Sequence, residues 1–426
     1  MKAYHSLPGP DDITRVVLPN GITVLTRSNF NSPSVFLTGY LACGGMYDPD
    51  DRLGLANFTA LALMRGTRQR NFQQIFESLE SAGASLGFGA SVHTVSFSGR
   101  CLAEDLPMLV ELLSQALRYP VFPPEQIERL RGQLLTGLAI RSQDTSELAS
   151  LTFDETLFAG HPYGRSEDGY PETVQAISHQ DLVEFHQRQY GPAEMAVVVV
   201  GAITPQEAVE QVQVALGDWS NPEQKISQTF PVVRIPQKTI RIHKPLPGKY
   251  QTDLVMGVVG PRRRSDDFLP ASLGNNILGQ FGMMGRIGDV VREQAGLAYS
   301  ASTSLNAWPY SGSWEVSAGV NPANLSRAID LILSELGRFI ADGVTAEELA
   351  DSQANYIGRL PLSLESNAGV ASALLNLQRF ELGLDYYRRY PDLVRSVTRQ
   401  QVLEAARRYL DPERMVIVSS GPEIVE

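Results

Sequence analysis

The sequence contains two copies of one structural pattern. Residues 177–201 (ISHQDLVEFHQRQYGPAEMAVVVVG) align without a gap with residues 397–421 (VTRQQVLEAARRYLDPERMVIVSSG), at an offset of 220 positions. Each copy opens with capping-box spacing, headed by Ser178 or by Thr398, and continues as an amphipathic helix, a proline turn and a β-branched strand. A matched cap, helix, turn and strand is hard to obtain by chance, so we infer a tandem duplication.

The duplication divides the chain into two homologous domains. They comprise residues 1–217 and 233–426, and a polar, proline-containing linker at 218–232 joins them. A chain of 426 residues also exceeds what one hydrophobic core ordinarily supports. In each half, hairpin-like strand pairs mix with long helices instead of alternating strictly with them. We therefore expect an α+β fold in which each domain has a mainly antiparallel sheet with helices packed on one face.

The charge balance argues against several classes of partner. With 36 basic and 47 acidic residues the formal net charge is −11, which disfavours nucleic acid and anionic membranes. No apolar run approaches the ~20 residues that span a bilayer, and the N-terminus shows no secretory signal. We expect a cytoplasmic protein, with a periplasmic or organellar location left open. Cys43 and Cys101 lie in apolar, strand-like surroundings and are expected to be buried thiols.

Segments along nearly the whole chain resemble the pitrilysin (insulinase) family of zinc peptidases. GLANFTALALMRGT at 54–67 is similar to the family segment G-x-A-H-F-x-E-H-x-x-F-K-G-T. LPNGITVLTRSN and GGMYDPDDRLG precede it, LFAGHPYGRSEDG follows it, and the second half supplies NNILGQFGMMGRIGDVVREQAGLAYS, all in the family's order. The resemblance is closest to the short, two-domain members related to mitochondrial processing peptidase.

The residues that bind zinc in the family are replaced in this sequence. The three positions of the inverted motif H-x-x-E-H hold Asn57, Ala60 and Leu61, and the glutamate of a second helix corresponds to Gly137. In active members the histidines bind zinc and the motif glutamate is the general base for zinc-bound water. Alanine and leucine have no lone pair, and a neutral asparagine is a poor zinc ligand. The resemblance therefore implies a chain with no catalytic residue and no metal of its own.

The six histidines offer no replacement for the lost motif. They are His5, His93, His161, His179, His186 and His243, and they include no H-x-x-x-H pair. We expect them to be scattered structural or surface residues.

The resemblance also implies a substrate-side pair in the second domain. Family members carry an arginine and, seven positions later, a tyrosine that reach bound peptide; in VREQAGLAY these are Arg292 and Tyr299, with Ala298 in place of a glycine. We expect Gly296 to end the helix as a left-handed cap, so that both side chains can face one space. A guanidinium and a phenol can donate hydrogen bonds to a peptide carbonyl. The plain alternative is a surface arginine and a half-buried tyrosine.

These features together predict a pseudo-peptidase that works only within a complex. The implied function is the non-catalytic, substrate-binding subunit of a dimeric zinc metalloendopeptidase. A related H-x-x-E-H-containing partner would hold the zinc, and the substrate would be an unfolded peptide. The alternative is a peptide-holding or structural scaffold without hydrolysis, like the core proteins of the respiratory bc-type complex. A homodimer with other chemistry also stays open.

Two details bear on this prediction. The stretch GQFGMMG at 279–285 is too short to be the long glycine-rich loop of the non-catalytic processing-peptidase subunit, so a bacterial-type heterodimer is the better comparison. Residues 83–87 match G-x-S-x-G, but a helix precedes Ser85 and a strand follows it, the reverse of a nucleophile elbow. The basic stretch 261–264 is expected to be a solvated turn.

Overall fold

The chain forms two compact units, each built around one β-sheet. The computed structural model describes residues 7–225, 229–282 and 284–423. The first unit is made of Met1–Ala139, Arg165–Thr229 and Pro361–Arg389, and the second of Ile140–Gly164, Phe230–Leu360 and Tyr390–Glu426.

Six strands form the first sheet. They are β1 (Thr14–Val17), β2 (Thr23–Ser28), β3 (Ser34–Leu41), β4 (Ser85–Ala90), β5 (Val95–Leu102) and β6 (Ala196–Gly201). Their order across the sheet is β1-β2-β6-β3-β5-β4. Strands β2 and β6 pair in parallel, and the other neighbours pair antiparallel.

Five strands form the second sheet. They are β7 (Ile240–Pro245), β8 (Thr252–Gly260), β9 (Ala298–Ala307), β10 (Gly312–Val320) and β11 (Val416–Gly421). Their order is β7-β11-β8-β10-β9, with β7 and β11 parallel and the other pairs antiparallel. This order repeats that of β2-β6-β3-β5-β4 strand for strand. The common topology agrees with the tandem duplication inferred from the sequence.

The first half of the sequence also contains helices. They are α1 (Leu55–Ala62), α2 (Phe72–Ser81), α3 (Leu106–Arg118), α4 (Pro124–Arg141), α5 (Thr145–Leu157), α6 (Pro171–Ala176), α7 (His179–Gln189) and α8 (Pro205–Leu216). The second half has α9 (Phe268–Gly279), α10 (Gly285–Gly288), a π-helix (Asp289–Gln294), α11 (Leu325–Asp342), α12 (Ala346–Ser363), α13 (Asn367–Arg379), α14 (Tyr386–Ser396) and α15 (Arg399–Tyr409).

The predicted helix starts of the duplicated segments are present. Ser178 caps α7 and Thr398 caps α15, each in a complete capping box with the residue three positions on. The two helices even share one side-chain hydrogen bond, from a glutamine to a glutamate four positions later, at 3.0 Å in α7 and 2.8 Å in α15. The duplication therefore extends to individual side-chain contacts.

One helix from each half of the sequence belongs to the compact unit whose sheet comes from the other half. Helix α5, from the first half of the sequence, contacts β8 and β11 of the second sheet, and α13, from the second half, contacts β3 and β6 of the first. The division into 1–217 and 233–426 therefore describes the sequence repeat. The compact units differ from it, because α5 belongs to the second unit and α13 to the first. The change of unit near the linker falls between Thr229 and Phe230.

The exchanged helix α13 explains why strand β6 is apolar throughout. Val197 and Val199 face the main core of the first unit, whereas Val198 and Val200 face a second core formed with Leu374 of α13. All four valines are fully buried. The expected α+β architecture is confirmed, and one helix is added on the face opposite the main helical layer.

The cysteines behave as predicted. Cys43 and Cys101 are free and buried. Burial raises the pKa of the Cys101 thiol to about 12 and raises that of Cys43 further, so both stay protonated at neutral pH. Within the ranges that the structure describes, every helix is too short or too polar to cross a bilayer.

Candidate functional site

Helix α1 carries Asn57, Ala60 and Leu61, the positions that the resemblance assigns to the zinc motif, and a buried carboxylate holds its start. Asp48 accepts hydrogen bonds from the backbone amides of Gly54 at 2.9 Å and Ala56 at 2.8 Å. Burial raises the pKa of Asp48 to about 7, although these amide bonds act against that rise. Gly54 has a φ of +92°, and a Cβ there would lie 2.7 Å from the carbonyl oxygen of Asp168. The sequence GGMYDPDDRLG thus forms a loop that fixes the helix N-terminus.

The three motif positions on α1 have become structural. Ala60 is fully buried, and Leu61 is half-buried against the core of the first unit. Asn57 donates a hydrogen bond from its amide to the carboxylate of Asp168, at 2.9 Å. Two positions therefore contribute to packing, and the third binds the loop that follows α5.

The fourth position lies on α4, which packs beside α1. The guanidinium of the buried Arg131 of α4 lies 5.1 Å from the ring centroid of Phe58 on α1. Gly137 is exposed on the same helix, and a Cβ there would meet no atom within 4 Å. The helical frame of the site is thus retained, but this position presents only backbone.

The residues at these four positions do not fit a zinc ion. Zinc in proteins takes thiolate, imidazole or carboxylate ligands. Among the residues that the structure describes, no group of three His, Cys, Asp or Glu side chains is arranged to hold a metal.

Three histidines have structural partners, and one of them, His161, accepts a hydrogen bond at Nδ1 from the backbone amide of Tyr163 at 3.0 Å. His186 Nε2 lies 2.8 Å from the carbonyl oxygen of Leu117, and His243 contacts Ser419 at 2.9 Å. Of the other histidines named from the sequence, His5 lies outside the described residues.

The cap predicted at Gly296, between Arg292 and Tyr299, is left-handed. Gly296 has a φ of +63° and follows the π-helix, which carries Arg292 in its last turn. The amide of Gly296 donates to the carbonyl of Arg292 at 3.0 Å, and that of Leu297 donates to Val291 at 2.9 Å. These bonds satisfy the last carbonyls of the helix and turn the chain into strand β9. The sequence indicated a helix here, but it did not indicate the π form.

Both side chains of this pair reach the surface. Tyr299 is 86% exposed, far more than the half-buried tyrosine of the plain alternative. It lies at a register shift, where Ser300 pairs with Gly319 and Ala298 pairs with Val320. The guanidinium of Arg292 is partly exposed, and its nearest carboxylate, that of Glu293, lies at 3.5 Å. A phenol and a guanidinium are thus available for a ligand.

The two edge strands β4 and β9 end the sheets beside these segments. Helix α1 contacts β4, and the π-helix contacts β9. On β4, Ser85 is exposed, and Cβ atoms added to Gly87 and Gly89 would meet no atom within 4 Å. Ser85 lies within the strand after α2, as the sequence order indicated, so it does not form a nucleophile elbow.

A charged cluster near the π-helix was not predicted. Arg286 of α10 donates two hydrogen bonds to Glu348 of α12, both at 2.6 Å, and lies 3.7 Å from the buried Glu335 of α11. The sequence signal for part of it is the spacing of Thr345 and Glu348, which is that of a capping box. No local pattern connects Glu348 with Arg286. In the basic stretch at 261–264, Arg262 and Arg264 are exposed, whereas Pro261 is buried and Arg263 stacks on Phe268, with its guanidinium 4.1 Å from the ring centroid.

Comparisons with known proteins match both halves of the chain. Residues 23–167 match the model for "Insulinase (Peptidase family M16)", and residues 176–356 match "Peptidase M16 inactive domain". An uncharacterized zinc protease of Mycobacterium leprae is 26% identical over 386 residues, covering 88% of this chain and 84% of the relative. A similar uncharacterized zinc protease of Streptomyces coelicolor is 25% identical, covering 86% of this chain and 80% of its own.

Solved structures show the same fold over nearly the full length. A peptidase M16 inactive domain from Pseudomonas fluorescens has a TM-score of 0.89 at 25% identity, with 97% of this chain and 99% of that chain covered. A protease from Helicobacter pylori has a TM-score of 0.90 at 17% identity, with 98% and 100% covered. Because two models of this family together match residues 23–167 and 176–356, the chain belongs to the M16 (insulinase) peptidase family.

Proposed function

We propose that this chain is a non-catalytic, peptide-binding subunit of a zinc metalloendopeptidase whose metal is held by a related partner chain. The observation that carries the proposal is the exposure of Tyr299 and Arg292 in a segment capped by Gly296. Tyr299 is 86% exposed, so its ring and hydroxyl are open to a ligand, and it stands seven positions after Arg292 in a segment that resembles the family's peptide-contacting one.

The donor chemistry of the pair suits an extended peptide. The guanidinium of Arg292 and the hydroxyl of Tyr299 can donate to a peptide carbonyl, or to the oxyanion that develops when water attacks it. The open edges of β4 and β9 offer backbone amides and carbonyls to an extended chain. This chain would hold and orient the peptide.

Hydrolysis would come from the partner. A zinc ion there would polarise the carbonyl and activate water, which is the chemistry that Asn57, Ala60, Leu61 and Gly137 cannot supply here. A scaffold that holds peptide without hydrolysis is the second candidate. It is favoured by the hydrogen bond between Asn57 and Asp168, which gives α1 a structural role that needs no partner.

Co-expression with a related chain that has an intact H-x-x-E-H motif tests the proposal. We expect the two chains to co-elute in sizing, to contain one zinc per pair and to cleave an unstructured peptide. The isolated chain should contain no stoichiometric zinc and cleave nothing. One tightly bound zinc per isolated chain would overturn our interpretation of α1 and α4. A zinc-containing pair that binds peptide without cleaving it would favour the scaffold.

A further inference from the structure

Arg286 makes a set of contacts that is unusually complete for a partly exposed arginine. Its Nε and Nη2 donate to the two carboxylate oxygens of Glu348, both at 2.6 Å, and Nη2 also donates to the carbonyl of Gly343 at 3.1 Å. Its guanidinium lies 5.3 Å from the ring centroid of Phe339. A bidentate arginine–carboxylate pair fixes direction as well as distance, because both planar groups must align.

Glu348 is anchored by a second set of bonds. It accepts a hydrogen bond from the backbone amide of Thr345 at 2.7 Å, and Thr345 Oγ1 accepts one from the amide of Glu348 at 3.1 Å, which caps α12. Burial alone would raise the pKa of Glu348, but the hydrogen bonds from Arg286 and Thr345 outweigh it and lower that pKa. The carboxylate is therefore ionised at neutral pH and held in one orientation.

The segment that Arg286 leads has little stability of its own. Helix α10 has only four residues, and the π-helix that follows has six. Helices this short depend on tertiary contacts, and π-helices are uncommon outside functional sites. The backbone has a positive φ at Met284 and Gly285 before the segment and at Gly296 after it. The orientation of α10 and the π-helix, which lie between these two turns, therefore depends on their side-chain contacts.

Two kinds of contact hold this segment. Ile287 and Val291 are fully buried in the core of the second unit, which fixes one face. Arg286 connects the same segment to α12 through Glu348 and to α11 through Glu335. Asp289, Val290 and Gln294 line a cavity of about 540 Å³ together with Arg286. Because that side is open, apolar packing alone leaves the segment room to turn.

We propose that Arg286 and Glu348 are positioning residues, whose ion pair holds the π-helix in the orientation in which Arg292 meets the peptide. The inference rests on the proposed function, because Arg286 acts only through Arg292. Glu348 also caps α12, so substitutions of Arg286 separate positioning from helix stability more cleanly.

The test is a double-mutant cycle in the zinc-containing pair of chains. Arg286→Gln removes the positive charge and the bidentate hydrogen bonding to Glu348. We expect it to lower kcat about 10- to 100-fold, as a small misplacement of a substrate-contacting group does. In the Arg292→Ala background the same substitution should add little further loss, because the group it positions is gone. Arg286→Lys keeps the charge but cannot make the bidentate pair, so it should recover only part of the activity.

Arg118 of the first unit supplies a matched control. It makes two hydrogen bonds to Asp218 at 2.7 and 3.2 Å, one to the carbonyl of Ala215 at 3.0 Å, and lies 5.1 Å from the ring centroid of Tyr119. Arg118→Gln therefore removes the same kinds of contact elsewhere. We expect it to leave kcat at the parental value in both backgrounds.

Amide hydrogen exchange of the full chain without its partner makes the result independent of activity. Arg286→Gln should speed exchange within residues 289–297 by about tenfold, and Arg118→Gln should not. Unchanged exchange would overturn the positioning role, as would equal losses of kcat with and without Arg292. Faster exchange in Arg286→Gln, together with parental cleavage by the two-chain complex that carries Arg292→Ala, would instead overturn the proposed function.

Discussion

The first unit buries the helix that carries the predicted zinc-motif positions, whereas the second unit exposes the predicted peptide-contacting tyrosine. On α1, Ala60 is fully buried and Leu61 packs on the core, while Tyr299 after the π-helix is 86% exposed. Small or apolar side chains can be absorbed into a core at no cost in desolvation, but a guanidinium and a phenol cannot. The predicted zinc-motif positions Ala60 and Leu61 therefore serve packing in the first unit, whereas the predicted peptide-contacting tyrosine of the second unit lies outside the core.

A second pair of equivalent positions shows the same divergence inside the helices. His186 of α7 corresponds, at the offset of 220, to Ala406 of α15. The histidine ring packs against Tyr190 at 4.8 Å and donates to Leu117, whereas Ala406 is a fully buried methyl group. At this position one copy of the duplicated helix therefore carries a titratable group and the other does not.

The largest expected effect comes from restoring the motif glutamate. Ala60→Glu places a carboxylate without a partner in the core of the first unit and should lower the free energy of unfolding by about 3–5 kcal/mol. Denaturant unfolding of the purified chain measures this loss. A loss below about 1 kcal/mol would show that α1 tolerates a polar group and would break the contrast between the two units.

Acid should destabilise the first unit through His186. Burial lowers the pKa of His186 to about 4, despite its hydrogen bond to Leu117, whereas an unfolded histidine titrates near 6.5. The unfolded chain therefore binds more protons between these values, and stability should fall by about 2–3 kcal/mol as pH falls from about 6.5 to about 4. The free energy of unfolding should vary less with pH over this range in His186→Gln, whose amide can still donate to the carbonyl of Leu117. Equal slopes in both proteins would contradict the assignment.

The exposed pair should matter for turnover and not for folding. In the zinc-containing complex, Arg292→Ala or Tyr299→Phe should lower kcat on the order of 10²-fold, because each removes a donor to the developing oxyanion. Steady-state kinetics separate this from loss of uniform substrate binding, which appears in KM. Assembly and the partner's zinc content should not change, and Arg264→Ala in the exposed turn should have little effect. Parental rates in both variants would make the pair structural.

The smallest effect should have the opposite sign to the first. Gly137→Glu restores the second-helix glutamate at an exposed position with open space around it. Because glycine is a poor residue in a helix interior, the substitution should raise the free energy of unfolding by about 0.5–1 kcal/mol. Thermal unfolding of Gly137→Glu and Ala60→Glu in parallel tests whether the stability changes at these two positions differ as much as their burial indicates. Destabilisation by Gly137→Glu would show that α4 is more constrained than its surface suggests.

Local features were predictable where a few adjacent residues specify them. A helix, Phe72–Ser81, precedes Ser85 and a strand begins at Ser85, in the order that the sequence predicted. The left-handed cap at Gly296 was also predicted, because glycine after a periodic helix favours that conformation. The π form of the preceding helix carries no comparable signal, since it depends on how Val291 packs in the core.

By itself, the sequence determined the duplication, the capping boxes at Ser178 and Thr398, and the absence of zinc-binding side chains at the motif positions. Those properties depend on residue type and on spacings of a few residues. Only the tertiary structure decided the exchange of α5 and α13, the depth of Ala60, and the pairing of Arg286 with Glu348 across 62 positions. These depend on which distant surfaces bury one another, and hydrophobic burial is non-directional, so several packings satisfy the same local pattern until the whole chain folds.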